Sequence, residues 1–275
     1  MVKSKSLIIS ATAFCAALYA SGSYLTAYIS SPWGYGQFRP AIIIPAFFAI
    51  IFGPIPAGLG AAIGTFLCDS LKHGTLYIPS LVAAVPGNFI GFYLYGWLLK
   101  GKFNWKRFIS SSIFVLIIAN SIVAFLYVPT INFLFGLNLS INGIVLLSIS
   151  LIIWWFVTML PFMLLLTPFL IKISAIALPN ITPIDVRNAS LSREFPAKFF
   201  ILSILLPGII MLLLGLSLYF TPLVNIIYNG LTIRYKPEVA SLTIDLIKNM
   251  FIVCGFSMTF SGILLNFIPI NKTKK

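Results

Sequence analysis

Two short segments of the sequence carry residue types that could hold a flat, polar small molecule. The loop after the first apolar stretch combines Trp33, Tyr35 and Arg39 with glycines, and the end of the third stretch contains Asp69 and His73. Aromatic rings beside glycine can form a flexible lid over a planar ligand, whose polar edge the charged groups can hydrogen-bond. The alternative is an ordinary interfacial aromatic belt, with an Arg39–Asp69 ion pair that closes the loops. For the cluster as a whole we favour a ligand site.

Two further candidates lie in the middle of long apolar stretches. Asn120 and Trp154 each carry a polar N–H near the centre of a predicted span, where they could line a cavity. Asn120 could equally hydrogen-bond to a neighbouring helix. Trp154 could pack against lipid, because it and the adjacent Trp155 cannot both face one cavity.

Small residues recur at four-residue spacing in the first and third apolar stretches. Such faces allow two helix backbones to approach closely. The third stretch has the pair Gly60 and Gly64, which we expect to serve internal packing. The first stretch offers an alanine face that could pack internally or dock another membrane subunit: Ala13, Ala16, Ala17 and Ala20.

Several kinds of chemistry are missing from the sequence. None of the five acidic residues lies in the middle of a span, and the single histidine excludes a site with several histidine ligands. No phosphate-binding loop and no nucleic-acid-binding motif is present. The sequence therefore predicts no enzyme, no metal site, no cofactor and no nucleic-acid partner.

The elements that must position these residues are membrane helices. Hydrophobic residues make up 60% of the 275 residues and charged residues only 8%, against about 25% charged in an average soluble domain. The composition predicts an all-α polytopic membrane protein in the lipid bilayer. About eight apolar stretches approach the length that a helix needs to cross the bilayer. The predicted spans are 7–29, 40–53, 56–70, 78–99, 109–135, 142–172, 199–220 and 246–268.

The second and third spans are separated by a Phe-Gly-Pro-Ile-Pro break at residues 52–56, which predicts a helical hairpin. With eight spans, thirteen of the 18 basic residues fall on the cytoplasmic side, as the positive-inside rule requires. We therefore expect a multi-pass protein of the cell membrane with both termini in the cytoplasm.

The long connection after the sixth span suggests a division of the chain. We expect a six-span core at 1–173, a cytoplasmic connection at 174–198 and a two-span C-terminal extension at 199–275.

An ordered set of motifs across residues 10–100 resembles the substrate-binding S component of energy-coupling factor (ECF) transporters. The set comprises a small-residue face on the first helix, an Arg-Pro start to the second, a Phe-Gly-Pro turn, and glycines with an aspartate on the third. In chain order the matching residues are Ala16-Ala-Leu-Tyr-Ala20, Tyr24-Leu-Thr26, Phe38-Arg-Pro-Ala-Ile-Ile-Ile-Pro45, Phe52-Gly-Pro54, Gly58, Gly60, Gly64 and Asp69.

The resemblance implies a six-helix core that binds a vitamin or related micronutrient at its outer face. The partners would be a transmembrane coupling subunit and the ATPase subunits of an ECF module, in an ATP-driven uptake transporter. Loops 31–39 and 70–76 would gate the ligand, and the alanine face of the first helix would dock the coupling subunit. The two-helix extension departs from the family pattern.

A second family is similar in hydropathy. Bacterial eight-span sensory input modules share a Trp-Trp pair followed by proline, here Trp154-Trp155 and Pro161. In that alternative the chain is a membrane sensor or receptor that lacks its own output domain and signals through a separate protein.

Overall fold

The computed structural model describes residues 4–31, 33–190, 196–232 and 236–267, and α-helices dominate these ranges. The all-α membrane fold predicted from the composition is confirmed. A 3₁₀ turn (Pro40–Ile42) precedes α2 and a π turn (Ser80–Ala84) precedes α4. The helices are α1 Lys5–Tyr24, α2 Ile43–Phe52, α3 Pro54–His73, α4 Val85–Leu99, α5 Trp105–Phe135, α6 Ile141–Ala177, α7 Ile184–Asn188, α8 Ala197–Phe220, α9 Leu223–Thr232 and α10 Pro237–Phe267.

Seven helices in the described ranges are long and apolar enough to cross a bilayer. The predicted span at 40–53 is a shorter apolar helix, Pro40–Phe52. At 1.5 Å per residue it measures about 20 Å, against a hydrocarbon core of about 30 Å. Each predicted span therefore corresponds to a helix, and this one alone is too short to cross by itself.

The break between α2 and α3 is a single glycine. Gly53 has φ +93°, a value that side chains with a Cβ rarely adopt. Its N–H bonds to the carbonyls of Phe48 and Ala49, which ends α2, and Pro54 then opens α3. Proline is well tolerated there because the first turn of a helix needs no donor at that position. The hairpin predicted from the Phe-Gly-Pro motif is thus formed.

The chain divides into two compact units. The first unit comprises Met1–Ala27 and Arg39–Phe195, and the second comprises Tyr28–Phe38 and Pro196–Lys275. The short loop after α1 therefore groups with the C-terminal helices.

In the first unit, α1 and α3 approach closely at glycines. A Cβ on Gly60 would lie 2.5 Å from Cβ of Cys15, and a Cβ on Gly64 would lie 2.7 Å from the carbonyl oxygen of Ala16. No side chain fits at such distances, so these glycines serve the internal packing predicted for them.

The segment after α6 folds back onto the first unit rather than forming an open connection. The N–H of Phe103 donates to Asp185 of α7 at 2.9 Å, and Nζ of Lys172 donates to the carbonyl of Ala189 at 2.9 Å. Lys172 also lies 5.8 Å from the ring centroid of the fully buried Trp105. Residues 191–195, which the sequence includes in the cytoplasmic connection, lie outside the described residues.

In the second unit, α8 and α10 pack as a pair along two rows of glycines. On each helix two glycines are spaced seven residues apart: Gly208 and Gly215, then Gly255 and Gly262. A Cβ on Gly255 would lie 2.6 Å from the backbone nitrogen of Leu212. The heptad spacing keeps the small residues on one face, so the helix backbones come together over two turns. The segment between the predicted spans 199–220 and 246–268 also contains α9.

Candidate functional site

The central contact of the first unit is an ion pair between Arg39 and Asp69, and the hairpin register explains it. Arg39 lies fifteen residues before Pro54 and Asp69 fifteen residues after it. In an antiparallel hairpin, residues equally far from the turn lie at the same height. Nη2 of Arg39 approaches Oδ1 of Asp69 to 2.6 Å, with both residues more than nine-tenths buried.

Protein groups surround both partners. Nη1 of Arg39 donates to the hydroxyl of Thr65, one turn before Asp69 on α3. Ser80 of the π turn donates to Oδ2 of Asp69 at 2.6 Å. Both carboxylate oxygens therefore have a protein donor, which is what a buried charge requires. The network joins the start of the hairpin, α3 and the start of α4 at one point.

Tyr19 of α1 lies near this network and influences the pKa of Arg39, although its buried hydroxyl has no hydrogen-bond partner among the described residues. Burial by itself lowers the pKa of Arg39, but the neighbouring carboxylate of Asp69 and the phenol of Tyr19 raise it above its ordinary value. The guanidinium therefore stays charged inside the protein.

His73 begins an aromatic group at the end of α3. Its Nδ1 lies 2.8 Å from the carbonyl oxygen of Asp69, and its ring stacks on Tyr77 with centroids 3.8 Å apart. The hydroxyl of Tyr77 lies 3.1 Å from that of Tyr127 on α5. His73 itself is exposed, so it presents a ring edge next to the buried ion pair.

Trp33 and Tyr35 belong to the loop of the second unit. The side chain of Trp33 is 38% exposed, and Tyr35 is half-buried. A bridge between Ser30 and Gln37 closes the loop, and the hydroxyl of Ser31 donates to the carbonyl of Tyr35. Part of the loop is thus held by its own hydrogen bonds.

Asn120 and Trp154 are both deeply buried in the first unit. Asn120 is 5% exposed, and its Nδ2 has no hydrogen-bond partner within the described ranges. Trp154 on α6 is 1% exposed. A buried amide donor without a partner costs free energy, so its position demands an explanation. A bound ligand that accepts a hydrogen bond from Nδ2 of Asn120 would explain this position.

The alanine face of α1 divides into two pairs. Ala16 and Ala20 are buried against the rest of the first unit, whereas Ala13 and Ala17 are exposed. The exposed pair is spaced four residues apart and remains open to a partner helix.

Three residues around the ion pair were not anticipated from the sequence: Tyr19, Thr65 and Ser80. Thr65 could have been found, because it lies four residues before Asp69 on the same helix face. For Tyr19 and Ser80 the sequence offers no such indication, since their role depends on how α1 and α4 pack against α3.

Comparison with known proteins identifies a family. The family model of the ECF-type riboflavin transporter S component matches residues 3–174, more than half of the chain. No curated protein and no solved structure matches the chain.

Proposed function

The chain belongs to the S-component family of ECF-type riboflavin transporters, and from this premise we propose that it captures riboflavin for uptake. Members of this family are substrate-binding subunits of vitamin transporters. The observation that carries the proposal is the family match over residues 3–174. The residues after 174, including the C-terminal extension, lie beyond the matched segment.

The ligand contacts that we propose are aromatic and amide groups. Riboflavin offers a flat ring system with carbonyl acceptors at its edge. Asn120 supports the proposal with its unpartnered amide donor, and Trp154 with a buried indole. His73, in the same unit, has a ring that suits stacking on such a ligand. Trp33 and Tyr35 remain the ligand contacts predicted from the sequence.

For Arg39 and Asp69 we propose a positioning role. Both oxygens of the carboxylate already accept hydrogen bonds from protein groups, namely Arg39 and Ser80. The pair fixes the start of the hairpin against α3. It thereby sets the position of His73 along the helix axis, since His73 follows Asp69 by one helical turn.

We further propose that the exposed pair Ala13 and Ala17 on α1 docks a transmembrane coupling subunit, which ATPase subunits drive. Small exposed residues four apart allow a partner helix to come close. Ala16 and Ala20, by contrast, are buried against their own unit.

Riboflavin fluorescence provides the test. Purified protein should quench the fluorescence of free riboflavin at a stoichiometric end point, and thiamine should not compete. Cells that produce the protein together with an ECF module should accumulate labelled riboflavin, and cells that produce the protein alone should not. If another vitamin binds instead, the ligand assignment is wrong and the transporter assignment remains. If no vitamin binds and no uptake occurs, both are wrong.

A further inference from the structure

The connection between α4 and α5 carries a dense group of positive charges in the first unit. Residues 100–107, the basic loop, contain no acidic residue and four basic ones: Lys100, Lys102, Lys106 and Arg107. The three lysines are exposed and the arginine is half-buried. In the described part of the chain none of the four side chains forms an ion pair. The described contacts therefore leave these charges uncompensated.

The start of α5 adds to the positive charge of the basic loop. α5 begins at Trp105 without an acidic residue in its first turn, and Lys106 and Arg107 occupy that turn instead. The helix dipole places partial positive charge at this end, where further cations are unfavourable. An anion bound at the basic loop would relieve this repulsion.

The backbone of the basic loop is held in one shape. The N–H of Phe103 donates to Oδ2 of Asp185 on α7 at 2.9 Å, and the side chain of Asn104 accepts from the N–H of Arg107 at 2.8 Å. The rings of Phe103 and Trp105 are both buried and meet edge to face, with centroids 5.3 Å apart. A ligand that binds a preformed loop pays less ordering entropy than one that binds a flexible loop.

Exposed apolar side chains flank the basic loop. Trp97 lies three residues before Lys100 on α4 and is 62% exposed, and Ile184, next to Asp185 on α7, is 66% exposed. Tryptophan is typical of the headgroup level of a membrane, where its ring contacts acyl chains and its N–H contacts polar groups. A ligand that joins a phosphate to acyl chains matches both the charges and their apolar neighbours. Inorganic phosphate would match only the charges.

We propose that the basic loop binds the phosphate headgroup of an anionic phospholipid. Lysines at a membrane surface attract anionic lipids, with a contribution from each charge. The guanidinium of Arg107 offers paired donors to phosphate oxygens. Asp185 opposes this binding, because its carboxylate touches the backbone of the basic loop. The proposal is independent of the riboflavin function, since it needs no vitamin.

Native mass spectrometry of the purified full chain in detergent tests the proposal. Titration with phosphatidylglycerol should give a one-to-one complex, and phosphatidylcholine with the same acyl chains should bind at least tenfold more weakly. The affinity for phosphatidylglycerol should fall about fivefold in Lys102→Gln and about twenty-fivefold in the double variant Lys102→Gln with Lys106→Gln. Lys5→Gln is the matched control, because Lys5 is an exposed lysine at the start of α1 and should leave the affinity unchanged.

The variant Asp185→Asn separates an effect of charge from a folding defect. Asparagine still offers an oxygen to the N–H of Phe103 but removes the negative charge beside the basic loop. The affinity for phosphatidylglycerol should therefore rise about fivefold, a gain that a misfolded protein would not show.

Three results would overturn the proposal. The first is equal binding of phosphatidylcholine, or an equal loss of affinity in Lys5→Gln and Lys102→Gln, since the attraction would then not be specific to the basic loop. The second is displacement of phosphatidylglycerol by inorganic phosphate, which would make a soluble anion the ligand. The third is an unchanged affinity in Asp185→Asn beside weaker binding in the lysine variants, which would attribute the loss to altered folding.

Discussion

At the residue scale, the Arg39–Asp69 pair shows how a charge is tolerated next to membrane helices. Either group alone would be a buried, uncompensated charge, and breaking such a pair typically costs about 3–5 kcal/mol. Thr65 accepts a hydrogen bond from Arg39, and Ser80 donates one to Asp69. Removing one partner should therefore be far worse than removing both.

We predict that Asp69→Asn lowers the melting temperature of the purified protein by about 10 °C and weakens riboflavin binding. The double variant Arg39→Met with Asp69→Leu should recover most of the melting temperature, because it leaves no unpaired charge. Recovery of binding in the double variant would identify the pair as positioning residues. Stable protein without binding would instead make them ligand contacts.

The chain contains its own control for this experiment. Lys248 and Asp245 form a second ion pair on α10, with 3.7 Å between Nζ and Oδ1 and an exposed carboxylate. Exposed pairs contribute little. Asp245→Asn should therefore leave both the melting temperature and riboflavin binding unchanged.

Asn120 carries the second prediction. Its amide donor is buried without a partner in the described part of the chain. Asn120→Leu should therefore leave the ligand-free protein as stable as before or more so, since an unsatisfied polar group is removed. Riboflavin affinity, measured by fluorescence quenching, should fall about tenfold, the effect of losing about 1.4 kcal/mol of binding free energy.

Asn88 is the matched control, because its Nδ2 already donates to the carbonyl of Ala84 at 2.8 Å. Asn88→Leu should leave the affinity for riboflavin unchanged. If Asn120→Leu destabilises the protein and binding stays intact, Asn120 serves the fold rather than the ligand.

The sequence predicted which residues belong to the candidate site better than it predicted the contacts between them. Arg39 and Asp69 were both named, and the pair between them was one of two alternatives. The register of the hairpin brings Arg39 and Asp69 together. That register can be read from the sequence, because both residues lie fifteen residues from Pro54 in the Phe-Gly-Pro break. Ser80 and Tyr19 could not be predicted, because their positions next to Asp69 and Arg39 depend on how neighbouring helices pack against α3.

At the scale of the helices, α1 presents two faces with different tasks. Gly60 and Gly64 of α3 receive the face that contains Cys15 and Ala16. Ala13 and Ala17 lie on the exposed side. The four alanines looked alike in the sequence, since spacing identifies a small-residue face and does not say which side is already covered.

This division makes the docking hypothesis testable. Ala17→Trp should abolish riboflavin uptake in cells that contain the ECF module, and the purified variant should bind riboflavin normally. Ala16→Trp should instead lower the yield of folded protein, because the backbone of Ala16 is packed against Gly64. Leu213→Trp, on an exposed site of α8 outside the family-matched segment, should affect neither quantity. Normal uptake with Ala17→Trp would place the docking surface elsewhere.

Hydropathy predicted the positions of the long helices well, but it did not predict the short helices in the connections between them. Each predicted span coincides with a helix, but α7 and α9 lie outside the predicted spans. Both are short and amphipathic or polar, so a search for long apolar stretches passes over them. Their positions depend on contacts with the longer helices, such as that of Asp185 with Phe103.

At the scale of the whole molecule, the sequence divided the chain by hydropathy and the structure divides it by contacts. The predicted extension begins at residue 199. The longer segment of the second unit begins at Pro196. The loop at Tyr28–Phe38 could not be assigned from the sequence, because only folding brings it to the C-terminal helices.

The number of membrane crossings is the last prediction, and it depends on the short helix Pro40–Phe52. At about 20 Å it is shorter than the bilayer core. A short helix can still complete a crossing when its polar end is buried in protein. Arg39, at the start of this helix, is neutralised by Asp69 rather than exposed to lipid. We therefore expect eight crossings, with both termini in the cytoplasm.

Reporter fusions distinguish the alternatives. Green fluorescent protein fused after Lys275 should fluoresce, and alkaline phosphatase at the same position should be inactive. Alkaline phosphatase fused after Gly74 should be active, because the hairpin returns α3 to the outer side. If Pro40–Phe52 enters and leaves on one side, both results reverse. The basic cluster at 100–107 would then face outward, opposite to Lys5 on the N-terminal side of α1. That arrangement contradicts the positive-inside rule, which is the physical reason to expect the eight-crossing result.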